Sequence, residues 1–225
     1  LSILDEPINK EASVMKVKIS LSILILFFTL LIMTTSCATT PKLIKMTERG
    51  DYEKIEKKID KGANVNVKDD MGRTPLMVAS LEGNAEIVRL LIEEGADVNA
   101  MTGRVFFASS GSDSAEATFI SAISLMMARD LNNRTALMYA AEQGHAEIVR
   151  LLIEAGANVN TIGWQNRTAL IYASECGDVE CVQSLIDAGA DVNVVTNGGE
   201  TACTIASREG HSQVVALLKE AGAKQ

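Results

Sequence analysis

This chain is poor in aromatic residues, proline, histidine and clustered positive charge, and each shortage narrows what it can be. Aromatics make up only 4% of 225 residues, which excludes a core built on large rings. The plentiful Ala, Val, Ile and Leu instead suit helices packed through small aliphatic layers. Lys and Arg number 21 against 29 Asp and Glu, for a net charge of −8. Such a surface repels phosphate backbones, so no nucleic-acid partner is expected and a neutral or basic protein partner is. The four cysteines include no C-x-x-C pair, and there is no Gly-rich phosphate loop. Carboxylates recur at solvent positions such as Glu93, Glu94 and Glu154, with no pair set in an apolar context, so general acid–base catalysis has no candidate. No catalytic residue, cofactor or metal site is expected.

Long apolar runs are also missing except for Ile19 to Met33. At about 15 residues this run falls short of the roughly 20 that a membrane-spanning helix needs. Preceded by Met15-Lys-Val-Lys18 and followed by Thr34-Thr-Ser-Cys37, it has the architecture of a signal peptide. Residues 1–36 are read as that leader, with translation starting at Met15, and residues 37–41 as a tether. The small residues before Cys37 resemble a bacterial lipobox, although Thr34 stands where a large aliphatic residue is usual. The resemblance implies lipidation of Cys37 and a lipid-anchored location on the periplasmic or surface side of a bacterial envelope, the alternative being a soluble periplasmic or secreted protein. The leader removes equal numbers of acidic and basic residues, so the net charge is unchanged.

Beyond residue 41 the chain repeats itself. Gly62-Ala-Asn-Val-Asn66 returns as Gly95-Ala-Asp-Val-Asn99, Gly156-Ala-Asn-Val-Asn160 and Gly189-Ala-Asp-Val-Asn193, and fades at Gly222-Ala223. The leading glycines are evenly spaced, except that the step from Gly95 to Gly156 is nearly double the others. Gly72-Arg-Thr-Pro-Leu-Met-Val-Ala-Ser80, Asn133-Arg-Thr-Ala-Leu-Met-Tyr-Ala-Ala141 and Gly144-His-Ala-Glu-Ile-Val-Arg-Leu-Leu152 resemble the two-helix signature of ankyrin repeats, whose period is about 33 residues. The resemblance covers roughly residues 42–225. It implies an all-α solenoid of helix-turn-helix units joined by β-hairpin loops, with five clear repeats. Threonines 74, 135, 168 and 201 are placed to cap inner helices. The apolar stripe Ile87, Val88, Leu90, Leu91, Ile92 recurs as Ile148, Val149, Leu151, Leu152, Ile153 and is too broad for one helix pair to bury, so each unit must stack on the next. Where the family has His after Thr-Pro-Leu, this chain has Met77, Met138, Ile171 and Thr204.

The long step between Gly95 and Gly156 carries almost one period of extra chain, lying between about Ala100 and Ala128. Two readings stand. The stretch is a degenerate sixth repeat, slightly favoured because its length approaches a period, or it is an insertion with a helix carrying Phe119, Ile120, Ile123, Met126 and Met127 on one face. Phe106 and Phe107 also fall here.

His145 and His211 share one repeat position, which the family resemblance makes structural rather than metal-ligating. Cys181 and Cys203 align with Ile and Leu positions and are expected in the core, whereas Cys176 aligns with exposed ones. The resemblance places Val78, Tyr139, Tyr172 and Ile205 on the concave groove, with Leu81, Glu142 and Glu175 beside them and Trp164 on a hairpin tip. Together these eight are the candidate partner-binding residues of a monomeric, non-catalytic protein-protein interaction module. The alternatives are a thiol-dependent redox or protective protein acting through Cys176, and a purely structural spacer.

Overall fold

The computed structural model describes residues 41–103 and 133–224, which fall within one compact unit spanning Pro41–Gln225. The leader, the start at Met15, Cys37 and the stretch from Phe106 to Met127 lie outside the described residues. Ten α-helices are described: α1 Lys42–Glu48, α2 Tyr52–Ile59, α3 Pro75–Glu82, α4 Ala85–Glu93, α5 Ala136–Glu142, α6 Ala146–Glu154, α7 Ala169–Cys176, α8 Val179–Asp187, α9 Ala202–Glu209 and α10 Ser212–Glu220. They pair into five units of an inner and an outer helix, and inner helices pack on inner, outer on outer, from one unit to the next.

The local chemistry explains these helices. The hydroxyls of Thr74, Thr135 and Thr201 accept from the backbone N–H of the third helical residue at 3.3–3.4 Å. This satisfies one of the donors that a helix N-terminus leaves orphaned. Thr168 caps no helix by its side chain. In α9 the cap is reciprocal, because Thr204 Oγ1 accepts in turn from Thr201 N at 2.8 Å. Inner helices end at glycine where the chain must turn left-handed. At Gly177 (φ +83°) the need is double, since an added Cβ would stand 2.4 Å from the His211 ring, and at Gly83 (φ +78°) 2.8 Å from that of His145. Each imidazole donates back across the unit boundary, His145 Nε2 to Leu81 O at 3.3 Å and His211 Nε2 to Glu175 O at 3.1 Å. Those rings therefore tie units together.

Met77, Met138 and Ile171 are each only 1% exposed, so apolar packing fills the place of the family's inter-repeat histidine. Thr204, with no unit stacked on it among the described residues, is exposed. Cys181 and Cys203 are core residues.

The loops lock the stack more regularly than the helices do. Asn66 accepts from Asp97 N through Oδ1 at 2.8 Å and donates through Nδ2 to Gly95 O at 3.3 Å. Asn99 does the same to Asn158 N and Gly156 O, and Asn160 to Asp191 N and Gly189 O. Asn193 Oδ1 accepts from Lys224 N at 2.9 Å. The first three carboxamides thus span to the next unit with both ends, which neither Asp nor Ala can do.

This ladder continues across the irregular stretch. Asn99 grips Gly156 and Asn158 as the other asparagines grip their neighbours, and α4 packs on α6 and α3 on α5. The second and third described units therefore touch directly, and both readings of residues 104–132 lie outside the described residues. The backbone shows where the extra chain leaves. In three hairpins a pair closes around three residues: Asp69 N to Arg73 O, Gly163 N to Arg167 O and Thr196 N to Glu200 O, at 2.8–3.0 Å. The corresponding pair in the remaining hairpin is Thr102 N to Arg134 O at 2.9 Å. The excursion departs from one hairpin tip, and pairing at its base leaves the stacking undisturbed.

Replacing residues 103–133 by the tip Asn-Gly-Gly, as found at 197–199, should leave a single cooperative unfolding transition and the helical circular dichroism of the remaining chain. Loss of cooperativity would count against direct stacking. Asn160→Ala removes two bonds between units and should cost about 1–2 kcal/mol in urea denaturation.

Candidate partner-binding face

Four hairpins and four inner helices build a face whose rungs are set by the stacking. Val78, Tyr139, Tyr172 and Ile205, placed on the groove by sequence, are buried there, Tyr139 to 2% exposure and Tyr172 to 7%. The reason is geometric. An inner helix is flanked by inner helices and backed by its outer helix, so only the strip about two turns beyond the capping threonine stays open. That strip holds Leu81, Glu142 and Glu175, all half-buried, and Arg208, which is exposed.

What covers the tyrosines is a row that sequence reading passed over, the residue just before each capping threonine. Arg134 lies over the Tyr139 ring at 4.6 Å and over the Tyr172 ring at 4.4 Å, bridging two units, and Arg167 lies over Tyr172 at 4.6 Å. Guanidinium planes favour aromatic faces, and the attraction grows when water is excluded. Arg134 is itself 6% exposed and pairs with Glu142 at 2.7 Å. Burial works against its charge, yet Glu142 and the two phenol rings outweigh that and hold its pKa above the ordinary value. Arg167 pairs with Glu175 and, in the last unit, Arg208 with Glu200. Arg73, whose counterpart on the open strip is the uncharged Leu81, turns to Asp69 at 2.8 Å and Glu48 at 3.2 Å.

The signal was present in the sequence as Arg134 with Glu142 and Arg167 with Glu175 at one spacing, then inverted as Glu200 and Arg208. That spacing links the hairpin stem to the open strip of the same helix. The inversion keeps one positive and one negative partner per rung, and it brings Arg208 to 4.0 Å from Glu175.

Burial raises the pKa of Tyr139 despite the opposing charges of Arg134 and Arg73, and that of Tyr172 despite Arg134 and Arg167. The Tyr139 hydroxyl has no hydrogen-bond partner. The tyrosines serve as platforms for arginine, and their phenols are not available to a partner.

The groups that do face outward are on the hairpins. Trp164 begins a short 3₁₀ turn, Trp164–Asn166, in which Gln165 and Asn166 have φ of +56° and +63°. The indole is half-buried. Met71, Ile162 and Val195 are the large hydrophobic side chains left exposed among the described residues, at 40%, 52% and 46%. Cys176 is exposed as expected, but burial of its thiol and the nearby Asp178 charge raise its pKa, the opposite of what makes a thiol reactive. Among the described residues no His, Cys, Asp or Glu group is arranged to hold a metal.

A family profile for ankyrin repeats matches the chain in three copies, at residues 33–102, 105–196 and 162–225. The second begins inside the excursion. Among individual proteins, a putative ankyrin repeat protein of Fowlpox virus is 45% identical over 62 residues, 27% of this chain and 9% of its own length. The 2-5A-dependent ribonuclease of Mus musculus is 41% identical over 56 residues, covering 24% of this chain and 8% of that enzyme. An ankyrin repeat-containing protein of Schizosaccharomyces pombe is 31% identical over 61 residues, 27% of this chain and 30% of its own length. The matched stretch is thus less than a third of each of these relatives.

Tyr139→Phe deletes an unpartnered hydroxyl and should change stability by less than about 0.5 kcal/mol. Glu142→Ala, which strands a buried guanidinium, should cost about 2 kcal/mol. Glu147→Ala, breaking the exposed Arg89–Glu147 pair, should cost under about 1 kcal/mol and less in high salt. Because Tyr139 and Tyr172 have raised pKa values in the folded state, they contribute stability that is complete below the ordinary tyrosine pKa of about 10 and is lost as pH rises through their folded values. Alkaline unfolding monitored by phenolate absorbance should therefore begin above about pH 10 and be shallower in Tyr172→Phe.

Proposed function

The chain belongs to the ankyrin-repeat family, and from that premise we propose that it is a non-catalytic module holding a protein partner along the inner-helix strip and the hairpin edge. Ankyrin repeats generally mediate protein-protein interaction, and a solenoid offers a long surface without chemistry of its own. The observation that carries the reading is the division of labour within each rung. Residues that recur from unit to unit, the caps, the asparagines and the arginines, are consumed in holding the stack. Trp164, Met71 and Leu81 sit at positions whose identity changes from unit to unit and lie at the open edge, bordered by Glu142 and Glu175, each already paired with an arginine. Large side chains of this kind supply most of the energy at protein interfaces.

Tethering belongs to the same proposal. The leader and the small residues before Cys37 support a lipidated Cys37 in a bacterial envelope, leaving the stack to face the periplasm or the exterior. A monomer with a neutral or basic protein partner fits the net charge of −8. The thiol-dependent alternative is disfavoured by the raised pKa of Cys176.

In-cell crosslinking followed by pull-down should recover a specific protein, with capture reduced severalfold by Trp164→Ala. Equal capture by that variant and by Leu81→Ala would remove the proposed surface. Mass spectrometry of the mature protein should find a lipid-modified Cys37 as the first residue, and an unmodified or internal Cys37 would remove the tether.

A further inference from the structure

The chain-wide excess of acid conceals a polarity along the stack. Residues 42–68, which hold α1, α2 and the loop after them, carry eight Lys and Arg against five Asp and Glu, whereas residues 69–225 carry ten against 21. Five of the eight cations occupy one kind of position. One repeat period at a time, Lys42 and Lys45 of α1 and Lys54, Lys57 and Lys58 of α2 lead to Ala202, Ile205, Val214, Leu217 and Leu218 in the last unit. That unit shows which way such positions point. With no unit after it among the described residues, it still buries Ala202, Ile205, Val214 and Leu218 to 1% exposure or less, whereas Thr204 and Ser207 are exposed and Val215 is half-buried. The first set packs back on the preceding unit, and the second points forward.

In the first unit the forward positions are the buried Ile44, Thr47 and Ile55. The backward ones, with no unit before them among the described residues, are the lysines: Lys42, Lys54 and Lys57 are exposed, Lys45 and Lys58 half-buried. Solubility requires only that a terminal unit's outer face be polar, and either sign of charge would serve. Here all five charges are positive, on a chain whose later units are acidic. Along α2 the three lysines fall on one flank, and Glu53, Glu56 and Asp60 on the other. Lys54 pairs with Asp51 at 3.0 Å and Lys57 with Glu53 at 3.3 Å, yet their side chains stay 64% and 68% exposed. Exposed pairs of this kind are weak and give way to a competing anion.

The occupant follows from shape, attachment and charge. The lysines spread over two helices lying side by side, so a plane can bring all of them within a Debye length, about 8–10 Å, at once. Cys37, expected to carry lipid, lies four residues before Pro41, and four residues span at most ~14 Å. A second copy stacked head to tail would offer Thr204, Ser207 and Val215, which carry no charge to match. We infer that the lysine end of the stack lies against the anionic headgroups of the membrane that holds the anchor, standing the solenoid upright with its later units and hairpin edge turned to solution. This rests on the tether reading and adds an orientation to it. Lysines beside such a surface each strengthen attachment severalfold, while the acidic later units are repelled by it.

The test uses the mature chain, residues 37–225, which contains the whole compact unit from Pro41, with Cys37→Ser so that no lipid contributes. Co-sedimentation with phosphatidylcholine vesicles, with and without about one third phosphatidylglycerol, should give at least about tenfold tighter binding to the anionic vesicles, lost in 1 M salt, where the Debye length falls to about 3 Å. Lys42→Glu with Lys57→Glu, both at exposed positions, should weaken that binding about tenfold or more, and the neutral pair Lys54→Gln with Lys58→Gln should weaken it in the same direction. Lys219→Glu with Lys224→Glu changes the net charge as much as the first pair but at the far end of the stack, and should leave binding within about twofold. Circular dichroism will verify that each variant keeps its stack. Equal binding to both vesicles, an equal loss with the Lys219 and Lys224 pair, or equally tight binding to soluble poly-glutamate would overturn the inference. None of those results touches the tether, which stands or falls on the mass of the mature N-terminus.

Discussion

An asparagine carboxamide that joins one loop to the next by both its oxygen and its nitrogen is the interaction on which this molecule depends. A single helix pair leaves the broad stripe of Ile87, Val88, Leu90 and Leu91 bare on one side, so no unit is stable alone, and stability is a sum of interfaces. Hydrophobic contact is non-directional and would let units slide or rotate. Asn66, Asn99 and Asn160 fix the register, because the amide offers a donor and an acceptor that must meet Gly O and the N–H two positions on. The histidine bonds to Leu81 O and Glu175 O add a second tie at the inner helices.

That bidentate grip also explains how the fold carries an excursion of almost one period at a single hairpin. Closing a longer loop costs only slowly more entropy as length grows, and the Thr102–Arg134 pairing confines the cost to the tip. The stack is continuous on both sides of it. An edge that accepts insertion without penalty to the core is free to vary.

The groove floor follows another logic. Arginines packed on Tyr139 and Tyr172 and paired with Glu142 and Glu175 form a closed electrostatic row in which each charge has its partner. A floor of that kind is stiff and nearly neutral, so it offers little to a ligand beyond shape. Discrimination passes to the hairpin side, where the positions of Ile162, Val195, Met71 and Trp164 vary from unit to unit. Exchange of sign at Glu200 and Arg208 keeps a pair in the last rung while reversing its polarity.

Periodicity determined much of this from the sequence alone. The regular return of Gly-Ala, three of the four capping threonines, the core roles of Cys181 and Cys203, and the structural histidines could all be read because each depends on a residue's own helix or on a repeated position. The burial of the groove row, the direct contact of the second and third units and the arginine–tyrosine floor could not. Val78 and Tyr139 lie on a helix surface, but whether that surface meets water depends on how closely neighbouring inner helices flank it. Whether the units on either side of a stretch near one period long touch depends on which loops the asparagines reach. Both are relations between segments distant in sequence, and only the stacked structure brings those segments together.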